Sequence, residues 1–160
     1  MACRRDQLEE QATEAEKAGH SRTAGQKYFR ASVYVSQAER MQSARDAGRN
    51  AEYQRSADLL LRSFELIDPR TSRVEIPYLA GPADGQPEGT VTSLPAYFCN
   101  ASTDGSLTPV MIVWNGLDST KEMMVGSGIH TELAARGISS LMVDCPGAGE
   151  ALRLRGLTAR

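Results

Sequence analysis

A short apolar strand that stops at a turn and then enters a helix constrains the fold of this chain most. Val110–Trp114 is apolar and Asn115–Gly116 ends it. The spacing that follows predicts a helix over residues 120–136, with Gly137 as its carboxyl-terminal cap. A second apolar run, Ile138–Val143, comes directly after it. Strand, helix and strand joined by short connections predict a right-handed parallel crossover.

The turn after the first of these strands is a candidate site. Ser119 and Glu122 have the spacing of a capping box, in which each side chain satisfies the other residue's free backbone N–H. Unpaired amide hydrogens at such a turn can hold an anion or the oxyanion of an acyl-transfer intermediate. Ligands of parallel sheets bind at the carboxyl ends of strands. The segments 115–117 and 144–150 both fall there, so we expect them to form one site.

Residues 1–69 are predicted to form a helical unit, and residues 70–160 an α/β unit. The first part contains no proline, and breaks at Gly19–Ser21 and Asp46–Gly48 divide it into three helices. Asp68–Pro69 ends the unit, because proline disfavours helix in the residue before it. Small residues on the inner helix faces are also typical of tetratricopeptide repeats. The required period of roughly 34 residues is absent, which favours an ordinary helical segment.

Two more strands are predicted between the helical unit and the crossover. Arg73–Pro77 alternates polar and apolar residues, as a half-buried strand does, and Pro77 is expected to bound it. Leu94–Cys99 forms the next strand, with Pro95 at its start on a sheet edge. The glycine- and proline-rich segment between them, 81–89, is expected to be a loop.

Charge and composition argue against several classes of protein. The net charge is −2 with both signs interspersed, which gives no footprint for nucleic acid or an acidic membrane. No apolar run approaches the roughly 20 residues that span a bilayer, and the amino terminus has no signal-peptide core. Cys3, Cys99 and Cys145 have no metal-ligand spacing. We expect a cytoplasmic protein with reduced thiols and with no metal, cofactor, nucleic acid or membrane partner.

Three catalytic or nucleotide motifs are incomplete. Gly147 and Gly149 follow a strand, as in a dinucleotide fingerprint, but Leu152 stands where a third glycine is required. Cys145 is an alternative nucleophile after a strand, yet no glycine precedes it by two residues. No serine has glycine both two positions before and two positions after it. The sequence therefore contains no serine elbow and no visible Ser-Asp-His triad.

Three segments, 115–122, 135–137 and 144–150, resemble the amino-terminal half of an α/β-hydrolase. The resemblance is to the subgroup of dihydropseudooxynicotine hydrolase, FrsA-like esterases and fungal pigment-polyketide hydrolases, and it runs from about Ala15 onward. It implies an α/β fold with an incomplete core. In this fold an N-terminal helical segment precedes the first strands and first crossover helix of an α/β-hydrolase sheet.

This resemblance implies a serine hydrolase, without a cofactor, acting on a small-molecule ester or on a carbon–carbon bond next to a ketone. By position, Gly116 and Leu117 fit its oxyanion-hole turn, with the Leu117 N–H as one donor. Asn115 stands where the subgroup usually has another glycine. The nucleophile, acid and base of the family would lie beyond Arg160, so this chain is expected to lack catalysis. Structural support of the site is assigned to Asn115, Ser119, Glu122, Asp144, Gly147 and Gly149.

Alternatives remain for the partners of each unit. The helical segment is expected to act as a cap or to form a homodimer. A rival hypothesis is a non-catalytic helical interaction module with a vestigial α/β tail. In the family's sheet the third core strand lies between the fourth and a fifth that this chain lacks. Val110–Trp114 is therefore expected at an apolar edge, which tends to associate with other chains.

Overall fold

The computed structural model describes residues 4–43, 45–116 and 118–159. Two compact units make up the chain, Met1–Pro69 and Arg70–Arg160. No helix in the described part of the chain is long and apolar enough to cross a membrane.

The first unit consists of three helices, as its sequence breaks predict: α1 (Arg4–Lys17), α2 (Ser21–Arg40) and α3 (Arg49–Ile67). Gly19 ends α1 with a φ of +79°, a left-handed conformation that glycine adopts without strain. One buried cluster of the unit includes several small side chains, which let the helices approach closely. Its buried members are Ala12, Ala24, Tyr28, Ala31, Val35 and Leu59.

Two specific contacts close α2 against α3. A side chain on Gly25 would collide with Ile67, so glycine is needed where these helices meet. Glu39, which is buried, accepts a hydrogen bond from Arg49 Nε at 2.7 Å. Because Glu39 lies near the end of α2 and Arg49 at the start of α3, this ion pair ties the ends of the connection together.

The second unit is built on a four-stranded sheet of order β1-β2-β4-β3. The strands are β1 (Thr71–Ala80), β2 (Thr90–Cys99), β3 (Val110–Trp114) and β4 (Ser139–Val143). β1 pairs antiparallel with β2, β2 antiparallel with β4, and β4 parallel with β3. The predicted parallel crossover is therefore confirmed. A short 3₁₀ turn, Pro82–Asp84, lies in the predicted loop between β1 and β2.

Both predictions about prolines in strands were wrong. Pro77 does not bound β1, which continues to Ala80. β1 is an edge strand, and a proline there can face its missing N–H outward. Pro95 lies inside β2, an internal strand. The residues of β2 that pair with β4 run from Ala96 to Cys99, so Pro95 lies just outside this pairing. Its carbonyl accepts the Asp144 N–H at 3.0 Å.

The crossover contains two short helices where a single one was predicted. These are α4 (Lys121–Gly126) and α5 (Ile129–Ala134), separated at Ser127–Gly128. Gly128 has a φ of +81°, which interrupts a right-handed helix. Gly137, with a φ of +74°, caps the end of α5 as predicted. A last helix, α6 (Gly149–Arg153), follows β4.

β3 forms one edge of the sheet, as expected. Four of its five residues are exposed, namely Val110, Met111, Ile112 and Trp114. β4, its neighbour, is largely buried. One buried cluster of this unit consists of Ala80, Leu94, Ala96, Val143, Ala151 and Leu157.

Candidate functional site

Two turns lie side by side at the carboxyl ends of β3 and β4. Trp114 pairs in register with Val143, so the next residues, Asn115 and Asp144, begin the two turns next to each other. The structure therefore brings together the two segments that the sequence assigned to one site.

Asn115 links the two turns through both ends of its carboxamide. Its Nδ2 donates to the backbone oxygen of Ser119 at 3.1 Å and to Asp144 Oδ1 at 3.4 Å. Its Oδ1 accepts the Cys145 N–H at 3.1 Å. This half-buried side chain thus makes one hydrogen bond within the turn after β3 and two to the turn after β4.

The turn after β3 is closed by Gly116 and Ser119. The Gly116 N–H donates to Ser119 Oγ at 2.7 Å, and the Ser119 N–H donates to the Gly116 oxygen at 3.3 Å. The Gly116 amide is thus occupied within the turn. The other residue of the predicted oxyanion hole, Leu117, lies outside the described residues.

The predicted capping box of Ser119 and Glu122 was wrong. The N-cap of α4 is Thr120, one residue later, and its side chain accepts the Met123 N–H at 3.4 Å. Glu122 then occupies the second helical position, where its carboxylate bonds to Lys121. Ser119 instead closes the turn by accepting the Gly116 N–H.

Lys121 is the centre of a buried ionic cluster. Its side chain is fully buried, and its Nζ lies 2.6 Å from Glu122 Oε1, 3.2 Å from Asp144 Oδ2 and 2.8 Å from Glu150 Oε2. The ammonium also lies 5.3 Å from the centroid of the Tyr97 ring. A charge this deep in a protein is tolerated only when it is paired and hydrogen-bonded, and all three carboxylates serve that purpose.

Asp144 joins the amino-terminal ends of two helices. Its Oδ1 accepts the N–H of Lys121, the first residue of α4, at 2.7 Å. Its Oδ2 accepts the N–H of Glu150, the second residue of α6, at 2.9 Å. Helix amino termini carry unsatisfied amides and a partial positive charge, so one buried carboxylate stabilises both.

Burial and charge shift the pKa values of this cluster in opposite directions. Burial lowers the pKa of Lys121, but the surrounding carboxylates raise it above its ordinary value, so the ammonium stays charged. Burial would raise the pKa of Glu122, yet the Lys121 charge outweighs it and the pKa is lowered. For Asp144, burial dominates and raises the pKa, although Lys121 opposes this.

Two arginines extend the cluster towards the surface. Glu150 Oε1 lies 2.5 Å from Arg73 Nη2 and 3.2 Å from Arg155 Nη2. Both arginines also pair with Glu75 on β1, at 2.9 and 2.8 Å. The third carboxylate around Lys121 is thereby balanced by further positive charge.

Gly147 and Gly149 have conformations and surroundings that exclude side chains. Gly147 has a φ of +87°, and an added Cβ would lie 2.7 Å from the Cβ of Ala159. Gly149 has a φ of +48°, and an added Cβ would collide with the Asp144 carboxylate. The absence of a side chain at both positions therefore lets the turn after β4 pack closely.

Cys145 is poorly suited to act as a nucleophile. Burial, together with the nearby Asp144 charge, raises the pKa of its thiol. Nucleophilic cysteines need a lowered pKa, usually from a neighbouring positive charge.

The sequence analysis missed the residues at the centre of the cluster, Lys121 and Glu150, and the two arginines outside it. A lysine at a helix start ordinarily lies in solvent. Its carboxylate partners at Asp144 and Glu150 are 23 and 29 residues away. Their proximity depends on the register of β3 with β4, for which the sequence offers no direct signal.

The arrangement can hold a turn rigidly but contains no acid–base pair aimed at a substrate. Its carboxylates converge on an ammonium group, and no group of His, Cys, Asp or Glu among residues 4–43, 45–116 and 118–159 has the geometry of a metal site.

Comparisons with known proteins place this fold. No protein-family model matches the chain. The sequence is 31% identical over 154 residues to an Acremonium sp. protein named alpha/beta hydrolase ucsC, covering 89% of this chain and 30% of that protein. Among solved structures, 2,6-dihydroxy-pseudo-oxynicotine hydrolase matches 94% of this chain and 38% of its own, with a TM-score of 0.69 and 22% identity.

A second solved structure, AbyA5, matches 91% of this chain and 37% of its own, with a TM-score of 0.52 and 22% identity. The chain thus spans about a third of the length of the relatives that it matches. Its helices and mixed four-stranded sheet form an incomplete α/β-hydrolase core, as the resemblance implied.

Proposed function

We propose, from the relationship of this chain to the α/β-hydrolases over part of their length, that it supplies the oxyanion-hole turn of a serine-type hydrolase. The substrate class is a small-molecule ester or a compound with a carbon–carbon bond next to a ketone. The observation that carries the proposal is the turn after β3, which Asn115 and Ser119 hold at the carboxyl end of a parallel strand.

Chemically, such a turn stabilises the negative charge that develops on the carbonyl oxygen in the transition state. The Gly116 N–H already donates to Ser119 Oγ, so it is not the donor. The donor proposed is the backbone N–H of the next residue, Leu117. A serine nucleophile and its base must approach from elsewhere, because the chain contains no serine elbow.

The 160-residue chain alone is therefore proposed to be inactive. The helical unit is proposed as a cap over the substrate or as a homodimer surface, and the protein is proposed to work in the cytoplasm without a cofactor.

The donor is tested with a chimera in which this chain replaces the matching segment of the related Acremonium hydrolase. Leu117→Pro removes the backbone N–H, and Leu117→Ala keeps it. With turnover of an aryl ester as the readout, Leu117→Pro should lower kcat by about 100- to 1,000-fold. Leu117→Ala should stay close to the parent chimera. Equal activity of the two variants would refute the role of this amide, provided that circular dichroism shows both to be folded.

The inactivity of the isolated chain has its own test. The purified chain and its Cys145→Ala variant are incubated with an aryl ester, and product is followed above the rate of buffer alone. Neither should turn over the ester. Turnover that survives Cys145→Ala would overturn the proposal that the chain lacks catalysis.

A second candidate function is a non-catalytic helical interaction module. The first unit favours it, because Met1–Pro69 is compact and has a buried core of its own. This hypothesis predicts that residues 1–69 fold alone, with a cooperative melt by circular dichroism, and capture a protein partner. An unfolded segment would exclude it, as would failure of a folded one to capture any protein.

A further inference from the structure

Among the described residues, Asn115 has an uncharged side chain whose carboxamide bonds to both turns of the site. We propose that Asn115 is a positioning residue that makes the turns after β3 and β4 one unit, so that the turn after β3 keeps a fixed position against the turn after β4. Its relevance to catalysis rests on the proposed function, whereas the coupling of the turns does not.

The bonds of Asn115 require an amide at this position. Nδ2 faces two acceptors, the Ser119 oxygen and Asp144 Oδ1, while Oδ1 faces one donor, the Cys145 N–H. A carboxylate would satisfy the donor but would place a second negative oxygen against Asp144. A glycine would satisfy neither side, and the turn after β3 would lose its bonds to the turn after β4 through this residue.

The two turns that Asn115 joins differ in how firmly the rest of the unit holds them. It follows an edge strand whose residue Trp114 is 58% exposed, so β3 is held by pairing on one side only. The turn after β4, in contrast, is anchored through Asp144, which is fully buried and bonded to the amides of Lys121 and Glu150. Asn115 therefore transfers the rigidity of the buried cluster to an exposed turn.

The proposal is tested on the 160-residue chain by backbone amide exchange, resolved by NMR. Asn115→Ala removes the Nδ2 donor and the Oδ1 acceptor together. It should speed exchange at Ser119 and Cys145 together, by about tenfold or more, while the β3–β4 ladder exchanges as before. In the parent chain, the side-chain NH₂ signals of Asn115 should exchange slowly, as in a hydrogen-bonded amide.

Asn100→Ala is the matched control. Asn100 Oδ1 accepts the Ser102 N–H and the Ser139 hydroxyl, neither of which belongs to the turns after β3 and β4, so both site turns should exchange as in the parent. Faster exchange after β3 alone, or no change after either strand, would overturn the coupling. Loss of the ladder as well would show a general structural role and would also overturn it. Failure of the proposed function would be seen in a different experiment, the chimera, in which the Leu117→Pro variant would then stay as active as Leu117→Ala.

Discussion

The carboxylate of Asp144 accepts hydrogen bonds from both the backbone N–H and the side-chain ammonium of Lys121, at 2.7 and 3.2 Å. A single residue pair therefore fixes where α4 begins and neutralises a buried charge. Because Asp144 follows β4 directly and Lys121 opens the helix after the β3 turn, the pair also sets the distance between the two turns of the site. Removal of either partner should therefore disturb both the start of α4 and the balance of the buried charge.

Asp144→Asn should strongly destabilise the α/β unit. Each carboxylate oxygen already accepts a backbone N–H, so the NH₂ of asparagine must face one of these donors. The loss should reach about 3 kcal/mol in the free energy of unfolding, although burial raises the pKa of Asp144 and makes its charge costly. Urea unfolding followed by the fluorescence of Trp114, the only tryptophan, measures it. Asp58→Asn, on the exposed face of α3, is the control and should change little.

Gly149→Ala should destabilise the protein more than Gly137→Ala does. Both glycines have positive φ, so alanine costs about 1–2 kcal/mol of backbone strain at either position. Only at Gly149 would the added methyl group collide with the Asp144 carboxylate, whereas nothing lies within 4 Å of one at Gly137. Thermal melts of the two variants compare the effects. Equal melting temperatures would show that Asp144 can move aside and that the cluster is less rigid than described.

The strand–turn–strand part of the site could be predicted because its signals are local. The apolar runs at Val110–Trp114 and Ile138–Val143 fall within one residue of the observed strands. The break in the crossover helix also has a local signal that the prediction did not use, since glycines flank Ser127 on both sides.

The buried cluster could not be predicted, because it depends on long-range packing. The Lys121–Glu122 pair is typical of a solvated helix start, and its burial follows only from the β3–β4 register. The position of the cap was mispredicted for a local reason. Ser119 and Thr120 are both good N-caps, and Ser119 is bonded to Gly116 instead.

Glu75→Gln should weaken the protein more at neutral than at acidic pH. Burial would raise the pKa of Glu75, but hydrogen bonds from Arg155 and Ser93 outweigh it and lower the pKa below 4.5. The ionised carboxylate therefore contributes stability that is fully present above pH 4.5 and is lost as the pH falls through the folded-state pKa. Urea unfolding at about pH 7 and about pH 3.5 measures the difference between variant and parent. An equal difference at the two pH values would contradict the assigned ion pairs.

Ile112→Lys should reduce association of the 160-residue chain with itself. β3 is an edge strand without a charged residue or a proline, the two devices that usually prevent edge-to-edge pairing, and Ile112 at its centre is 53% exposed. The other edge, β1, has both devices at Arg73, Glu75 and Pro77. Sedimentation over a range of concentrations should show oligomers of the parent and a shift to monomer in the variant. Leu107→Lys, in an exposed loop outside the sheet, should leave the oligomers unchanged. A parent that stays monomeric throughout would show that this edge does not pair.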